Sequence, residues 1–152
     1  MQLWRLTKTK YSSSAFDGEG ARVYGGRWNS PGTRMAYASG SPALAVLEVL
    51  VHLEKSGVLP SYSLIRARIP DTLIQELSTT DLPSSWNTSP VPPEVQAIGD
   101  QWVRSHESVI LRVPSVVIGA ESNFLINPAH PDFRHFAIEH VEAFSFDARL
   151  IP

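Results

Sequence analysis

Residues 43–51 contain eight apolar side chains and one charge, that of Glu48, and this segment constrains the fold more than any other part of the chain. Ser41 and a proline stand directly before it, and Gly57 follows it. Serine caps the free N–H groups of a helix, proline fits the first helical turn, and glycine closes helices. We therefore predict a helix over residues 42–56. Because it is apolar on nearly every side, we expect it to lie at the centre of the fold.

The rest of the chain predicts more strands than helices. Short runs of alternating or apolar residues predict strands at 3–7, 35–38, 61–69, 109–113, 116–118, 124–126 and 141–146. Further helices are expected at 71–77 and from Pro92 or Pro93 to about Ser105. Residues 8–34 are rich in glycine and serine and predict a long loop over a site, and residues 78–93 predict a surface loop. Since helices do not alternate regularly with strands, the pattern favours an α+β fold over a doubly wound sheet.

Length and composition exclude several classes of protein. The 152 residues fit one domain, 1–152, and no apolar run approaches the roughly 20 residues of a membrane span. The N-terminus lacks a secretory signal pattern. Because the chain has no cysteine, disulfides and cysteine-ligated zinc are excluded, and a cytoplasmic location is expected. A net charge of −2 argues against direct binding of nucleic acid.

Two motifs that could hold a nucleotide or a metal fit poorly. The glycines between 18 and 26 resemble a dinucleotide fingerprint, but Pro31 and Gly32 follow where that fingerprint needs a helix. Three histidines, at 130, 135 and 140, recur every five residues, whereas neighbours on one helix face are three or four apart. We therefore predict neither a Rossmann site nor a metal site.

Four residues are candidates for binding an anionic or polar ligand, and each has a structural alternative. Glu48 loses much of its hydration in its apolar run, which is costly unless the carboxylate is paired or used, and the alternative is a buried ion pair with an arginine. Arg27 lies in a glycine-hinged turn, or is simply a solvated loop residue. Arg5 alternates with apolar neighbours in the first strand, and either contacts an anion or faces solvent. Tyr37 lines the site or is a core aromatic whose hydroxyl has a partner.

Ser122 and Asn123 form a further candidate pair. The surrounding sequence does not match the Gly-x-Ser-x-Gly nucleophile elbow, and no base partner is evident, so a hydrolytic triad is not expected. Both side chains can donate hydrogen bonds to a ligand. The alternative, equally supported by the sequence, is a turn between two strands.

Three ordered segments together resemble the RES-domain proteins, a family named for an arginine, a glutamate and a serine. Residues 18–29 read GEGARVYGGRWN, residues 41–52 read SPALAVLEVLVH, and residues 121–131 read ESNFLINPAHP. The resemblance extends over nearly the whole chain, although residues 70–108 match only loosely. Three motifs in the family's order are far more specific than any one of them.

The resemblance implies a fold and an activity. RES-domain proteins are bacterial toxins of toxin–antitoxin pairs, with a mixed, mostly antiparallel sheet and flanking helices similar to ADP-ribosyltransferases. They consume NAD by hydrolysis or by phosphorolysis, so NAD is a substrate, inorganic phosphate is a potential co-substrate, and no cofactor or metal is implied. The implied partner is a helix-turn-helix antitoxin whose C-terminal part blocks the active site. A homodimer or a larger toxin–antitoxin assembly is left open.

The resemblance also implies roles for individual residues. By position, Arg27, Glu48 and Ser122 correspond to the family's arginine, glutamate and serine and are the expected catalytic residues. Arg5 and Arg27 are expected to hold the pyrophosphate of NAD. Tyr37 is expected to line the nicotinamide end of the site. The Ser122–Asn123 pair is expected to donate hydrogen bonds to the substrate.

Cleavage of the nicotinamide N-glycosidic bond explains why such a site needs a carboxylate. The reaction passes through an oxocarbenium-like state, whose positive charge a carboxylate stabilises. Glu48 is the expected residue for this role. Two alternatives use the same residues: ADP-ribose transfer onto a protein, and a non-catalytic module that binds a nucleotide or a partner.

Overall fold

A single mixed sheet forms the centre of the molecule in a computed structural model that describes residues 1–53 and 59–151. Its seven strands in the described residues are β1 Gln2–Lys8, β2 Ala36–Ser39, β3 Tyr62–Arg68, β4 Ile74–Glu76, β5 Ile110–Pro114, β6 Ser122–Ile126 and β7 Ala137–Phe144. Their order is β4-β5-β6-β2-β1-β3-β7. Only β4 and β5 pair in parallel within this sheet, and the other neighbours are antiparallel. The predicted α+β fold with a mixed, mostly antiparallel sheet is confirmed.

Three α-helices in the described residues accompany the sheet: α1 Glu19–Tyr24, α2 Pro42–Leu50 and α3 Pro93–Ser105. One face of the sheet packs against α2 and α3, through clusters that include Leu6, Ala45, Trp102 and Leu125. The opposite face carries a cluster whose members include Leu3, Phe16, Ala36, Ile65, Ala67 and Phe124. Strand alternation therefore decides which side chains reach the helix-covered face.

The start of α2 agrees with the sequence, but its length and position do not. The Ser41 hydroxyl accepts a hydrogen bond from the Leu44 N–H at 3.1 Å, and Pro42 occupies the first turn. The helix ends at Leu50 rather than near residue 56, and the predicted glycine closure lies outside the described residues. The expectation of a central helix is wrong, because α2 packs with one side on β1 and β2 and its other residues are partly or fully exposed.

Other boundaries differ because contacts distant in sequence prevail over local pattern. Residues 71–77 form a 3₁₀ turn followed by β4, which pairs with β5, instead of a helix. Residues 116–118 form a bend instead of a strand, because the Ser115 hydroxyl accepts the N–H groups of two residues of that bend at 3.1 Å each. The predicted loop 8–34 contains a 3₁₀ helix and α1, and β7 begins four residues before the predicted last strand.

Candidate active site

The Glu48 carboxylate projects from α2 to the ends of β5 and β6. Its Oε1 atom accepts hydrogen bonds from the Ser115 hydroxyl at 2.9 Å and from the Asn123 amide at 2.5 Å. Among the described residues, no Lys, Arg or His nitrogen lies within ion-pair distance of it. In the part of the chain that the structure describes, Glu48 therefore forms no ion pair with an arginine. Two neutral hydrogen-bond donors orient its carboxylate and leave the negative charge without a paired cation among these residues.

Asn123 links Glu48 to the middle of the sheet. Its side-chain oxygen accepts a hydrogen bond of 2.8 Å from the hydroxyl of Ser39 on β2, which is paired with it across the β2–β6 ladder. Tyr37 lies two residues before Ser39, so both side chains leave the same face of β2. A row of side chains therefore runs along the face of the sheet that α2 covers. In order, it contains Glu48, Asn123, Ser39 and Tyr37.

The Tyr37 hydroxyl is fixed by the turn that carries Arg27. It donates to the side-chain oxygen of Asn29 at 2.6 Å and accepts from the Trp28 N–H at 3.2 Å. Burial raises the pKa of Tyr37 well above that of a free phenol, so the hydroxyl is neutral at physiological pH. The residue as a whole is half-buried. Tyr37 is therefore a rigid aromatic surface whose polar end is already bonded.

Arg27 is half-buried and contacts the loop before α3. Its Nη1 atom donates to the carbonyl oxygens of Trp86 at 2.9 Å and Thr88 at 3.0 Å. The turn itself is anchored by α3, because the Asp100 carboxylate accepts hydrogen bonds from the N–H and the hydroxyl of Ser30. Arg27 is thus not a freely solvated loop residue. Its partners are neutral, so its positive charge remains available to an anion.

Arg5 lies where β1 and β2 separate. These two strands share one residue pair, Trp4 with Ser39, and next to it the Arg5 Nη1 atom donates to the Tyr37 carbonyl oxygen. Arg5 Nε is enclosed and has no hydrogen-bond partner among the described residues. Desolvation lowers the pKa of Arg5 to about 10, which leaves it cationic at neutral pH. Arg5 therefore does not lie on a solvated outer face. Strand alternation directs its side chain to the face of Leu3 and Phe16, opposite to the side chain of Tyr37, and its guanidinium carbon lies 5.8 Å from the centre of the Phe16 ring.

Ser122 does not contact Glu48. Its hydroxyl accepts a hydrogen bond of 2.9 Å from Arg112 Nε on β5, and strand alternation places it on the opposite face of β6 from Asn123. The serine that contacts Glu48 is Ser115, which the sequence reasoning missed. Ser115 is almost fully buried and follows the proline that ends β5. The signal in the sequence that could have pointed to Ser115 was Pro114, which interrupts the apolar residues between positions 109 and 118.

Two cavities in the described residues border β4. One, of about 340 Å³, is lined by residues that include Gln75, Glu107 and Asp132. The other, of about 180 Å³, is lined by residues that include Arg112 and Ser122. Neither contains Glu48, Tyr37 or Arg27, and we favour the bonded network on the helix-covered face because it carries the uncompensated charges.

Two further features bear on the function. Within residues 1–53 and 59–151, no cluster of three or more His, Asp or Glu residues is arranged to hold a metal ion. His130 instead stabilises a turn: its Nδ1 atom accepts from the Asp132 N–H at 3.1 Å, and its Nε2 atom bonds the His106 carbonyl oxygen at 3.0 Å. No described helix is both long and apolar enough to span a membrane.

Comparison with known proteins identifies the family. The sequence model of the RES-domain family matches residues 2–147 of this chain. The chain belongs to the RES-domain family. "Toxin Res" of Photorhabdus laumondii is 42% identical, with 99% of this chain and 97% of that protein covered. The same name belongs to a protein of Yersinia enterocolitica that is 38% identical over 99% of both chains. A "Prs ADP-ribosylating toxin" of Sphingobium is 37% identical, covering 97% and 95%.

A solved structure shares the fold of this RES-domain chain. A chain of the Mycobacterium tuberculosis MbcT–MbcA toxin–antitoxin complex superposes with a TM-score of 0.77 at 20% sequence identity. The match covers 95% of this chain and 84% of that chain. The predicted membership of the RES-domain family is confirmed.

Proposed function

We propose that this protein is a toxin that cleaves the nicotinamide N-glycosidic bond of NAD, by hydrolysis or phosphorolysis, and so depletes cellular NAD. The observation that carries the proposal is the Glu48 carboxylate, which is held by Ser115 and Asn123 and has no cation beside it among the described residues. The names of its relatives support the toxin role.

The proposed mechanism uses Glu48 as an electrostatic group. Bond cleavage generates positive charge on the nicotinamide ribose, and a preoriented carboxylate stabilises that charge without reorganising. Both described hydrogen bonds reach Oε1, which leaves Oε2 to meet the ribose hydroxyls. Nicotinamide leaves as a neutral molecule, so the reaction needs no proton donor at this position.

The remaining residues bind and orient the substrate. Arg27 holds the pyrophosphate, because its described partners are carbonyl oxygens that do not neutralise a guanidinium. Arg5, whose side chain leaves the other face of β1, contributes through the gap between β1 and β2, where its Nη1 atom meets the Tyr37 carbonyl oxygen. Tyr37 stacks on nicotinamide with a ring whose hydroxyl is already bonded. We assign the serine role to Ser115 instead of Ser122, on the basis of its contact with Glu48.

A second candidate function is transfer of ADP-ribose to a protein. The name of the Sphingobium relative, an ADP-ribosylating toxin, favours it, and the chemistry at Glu48 is the same. The two reactions differ only in what accepts ADP-ribose. A non-catalytic module would bind NAD and release no nicotinamide.

The acceptor can be identified by incubating purified protein with NAD labelled in its adenine. Three parallel reactions contain buffer alone, inorganic phosphate, or a bacterial lysate from which small molecules have been removed. We expect free ADP-ribose in buffer or a phosphorylated ADP-ribose with phosphate. Label that appears on a lysate protein, with no turnover in the other two reactions, would establish the transferase function instead.

Replacing Ser115 with alanine is expected to lower kcat for NAD cleavage roughly tenfold or more, the usual cost of one hydrogen bond to a charged group. The change removes a donor from Glu48 Oε1. Ser122→Ala is the matched control, because Ser122 contacts Arg112 on the other face, and it should change kcat less than about threefold. Steady-state kinetics with thermal unfolding of both variants checks this. A larger loss in Ser122→Ala than in Ser115→Ala would return the serine role to Ser122.

Arg27→Lys is expected to weaken NAD binding roughly tenfold or more. Lysine lacks the planar fork that lets Arg27 contact two carbonyls and a pyrophosphate together. Calorimetric titration of NAD into protein that also carries Glu48→Gln separates binding from turnover. Arg104→Lys, on an exposed residue of α3, is the control and should bind NAD like its parent. Equal affinities for all three proteins would leave Arg27 a structural role only.

The proposed partner is an antitoxin, which we infer from the family to be a helix-turn-helix protein, whose tail competes with NAD. Arg5 and Arg27 can bind a carboxylate or a chain terminus as readily as a pyrophosphate. We therefore expect that removing the antitoxin's last residues restores NAD cleavage in a complex that still forms. The copurified pair, with full-length and truncated antitoxin, provides the measurement. A truncated complex that remains fully inhibited would show that inhibition does not require the tail.

A further inference from the structure

The sheet has one long, exposed edge. β7 lies at its end, has β3 as its single partner among residues 1–53 and 59–151, and exposes seven of its eight residues. No backbone hydrogen bond from another described segment reaches its outer side. The opposite edge, β4, is only three residues long. The ladder between β3 and β7 shifts register at Glu139, so the regular part of this edge is residues 140–144. Its outer side presents a row of free N–H and C=O groups, which readily pair with another strand.

The charges along β7 restrict which strand can pair with it. Glu139 is already neutralised within the chain, because Arg66 Nε lies 3.4 Å and Arg68 Nε 2.7 Å from its oxygens. His140 and Glu142 are about half exposed, share one face of the strand and already contact each other within the chain, with His140 Nε2 3.5 Å from a Glu142 carboxylate oxygen. Between them, Val141 is 47% exposed. The outer edge therefore presents a basic–apolar–acidic triplet.

That triplet is complementary to a second copy of itself. When two β7 strands pair antiparallel about a two-fold axis at Val141, each His140 lies opposite Glu142 of the other copy, and the two valines face each other. A register with the axis at Glu142 places the two Glu142 carboxylates opposite each other. Since like charges directly opposite destabilise a pair, the register centred on Val141 is favoured.

We propose that this protein forms a homodimer through antiparallel pairing of β7 with β7 of a second copy, centred on Val141. The two sheets then join into one continuous sheet. The helix-covered site lies on β2 and β6, which are separated from β7 by β1 and β3, so dimerisation leaves both sites uncovered by β7. The proposed dimer does not depend on whether the protein cleaves NAD.

Cysteine cross-linking tests the register directly, because the natural chain has no cysteine. Directly opposite residues of an antiparallel pair have Cβ atoms about 4.5–5.5 Å apart, within reach of a disulfide after small adjustment. Val141→Cys should form a covalent dimer with copper phenanthroline at low protein concentration. Val116→Cys is the control, since Val116 is also exposed, at 38%, but lies away from β7. Absence of a Val141 cross-link, or equal cross-linking of both variants, would overturn the proposal.

Charge substitution tests the pairing independently. Sedimentation equilibrium should show a dimer for the natural chain, and Glu142→Arg should raise its dissociation constant roughly tenfold or more by placing Arg opposite His140 in two pairs. The double change His140→Glu with Glu142→His reverses the pattern and should restore the dimer. Glu76→Arg, on the other edge strand, should have no effect. A monomer at every concentration, or a dimer insensitive to Glu142→Arg, would contradict pairing through β7.

Discussion

Glu48→Gln is expected to reduce the rate of NAD cleavage by roughly 10²–10³, the usual cost of losing one preorganised electrostatic contact. Glutamine keeps the oxygen that accepts hydrogen bonds from Ser115 and Asn123. It removes the negative charge that faces the oxocarbenium-like state and replaces the second oxygen, Oε2, with an amide NH2 group. The variant should therefore fold normally, bind NAD and lack toxicity.

Single-turnover kinetics and growth of expressing cells measure this effect. Glu76→Gln is the matched control, because Glu76 is an exposed carboxylate on an edge strand away from the site. It should leave both turnover and toxicity unchanged. Full turnover by a soluble Glu48→Gln protein would remove Glu48 from the mechanism.

Gly99→Ala is expected to destabilise the protein by about 3 kcal/mol or more, at the upper end of overpacking effects. A Cβ atom at this position of α3 would lie 1.8 Å from the backbone oxygen of Trp28, which a small side-chain adjustment cannot relieve. Helix α3 and the turn next to Arg27 must then separate. This separation would disturb the position of Arg27 and also the packing of α3 against Trp28.

Thermal unfolding measures this loss, and we expect a decrease in Tm of roughly 6–12 °C for a domain of this size. Gly20→Ala is the control, since nothing lies within 4 Å of a Cβ atom there and alanine favours a helix by about 0.5–1 kcal/mol. That variant should be as stable as the natural chain or slightly more so. A Gly99→Ala protein with unchanged Tm would show that α3 does not pack so closely on the turn.

The elements with local signals could be predicted from the sequence. Ser41 with Pro42 set the start of α2, and Pro93 set the start of α3. The segments that failed depend on distant partners. Residues 74–76 become a strand because β5 lies beside them, and residues 116–118 bend because Ser115 bonds their N–H groups. Neither partner is visible in a local pattern.

The candidate site shows the same limit. Glu48 could be singled out because a lone charge in an apolar run is costly. Arg27 was identifiable from its glycine turn, but its contacts with the loop before α3 join residues about sixty positions apart. Ser115 meets Glu48 across 67 positions, and only the fold brings these two residues together.

The most direct test of the central proposal is product analysis of NAD incubated with the purified wild-type protein. Nicotinamide and NAD are quantified over time by chromatography, in the absence of any antitoxin. Cleavage of the N-glycosidic bond predicts one nicotinamide released for each NAD lost. Intact NAD after prolonged incubation, or cleavage to AMP and nicotinamide mononucleotide, would contradict the assignment of Glu48 to the nicotinamide ribose.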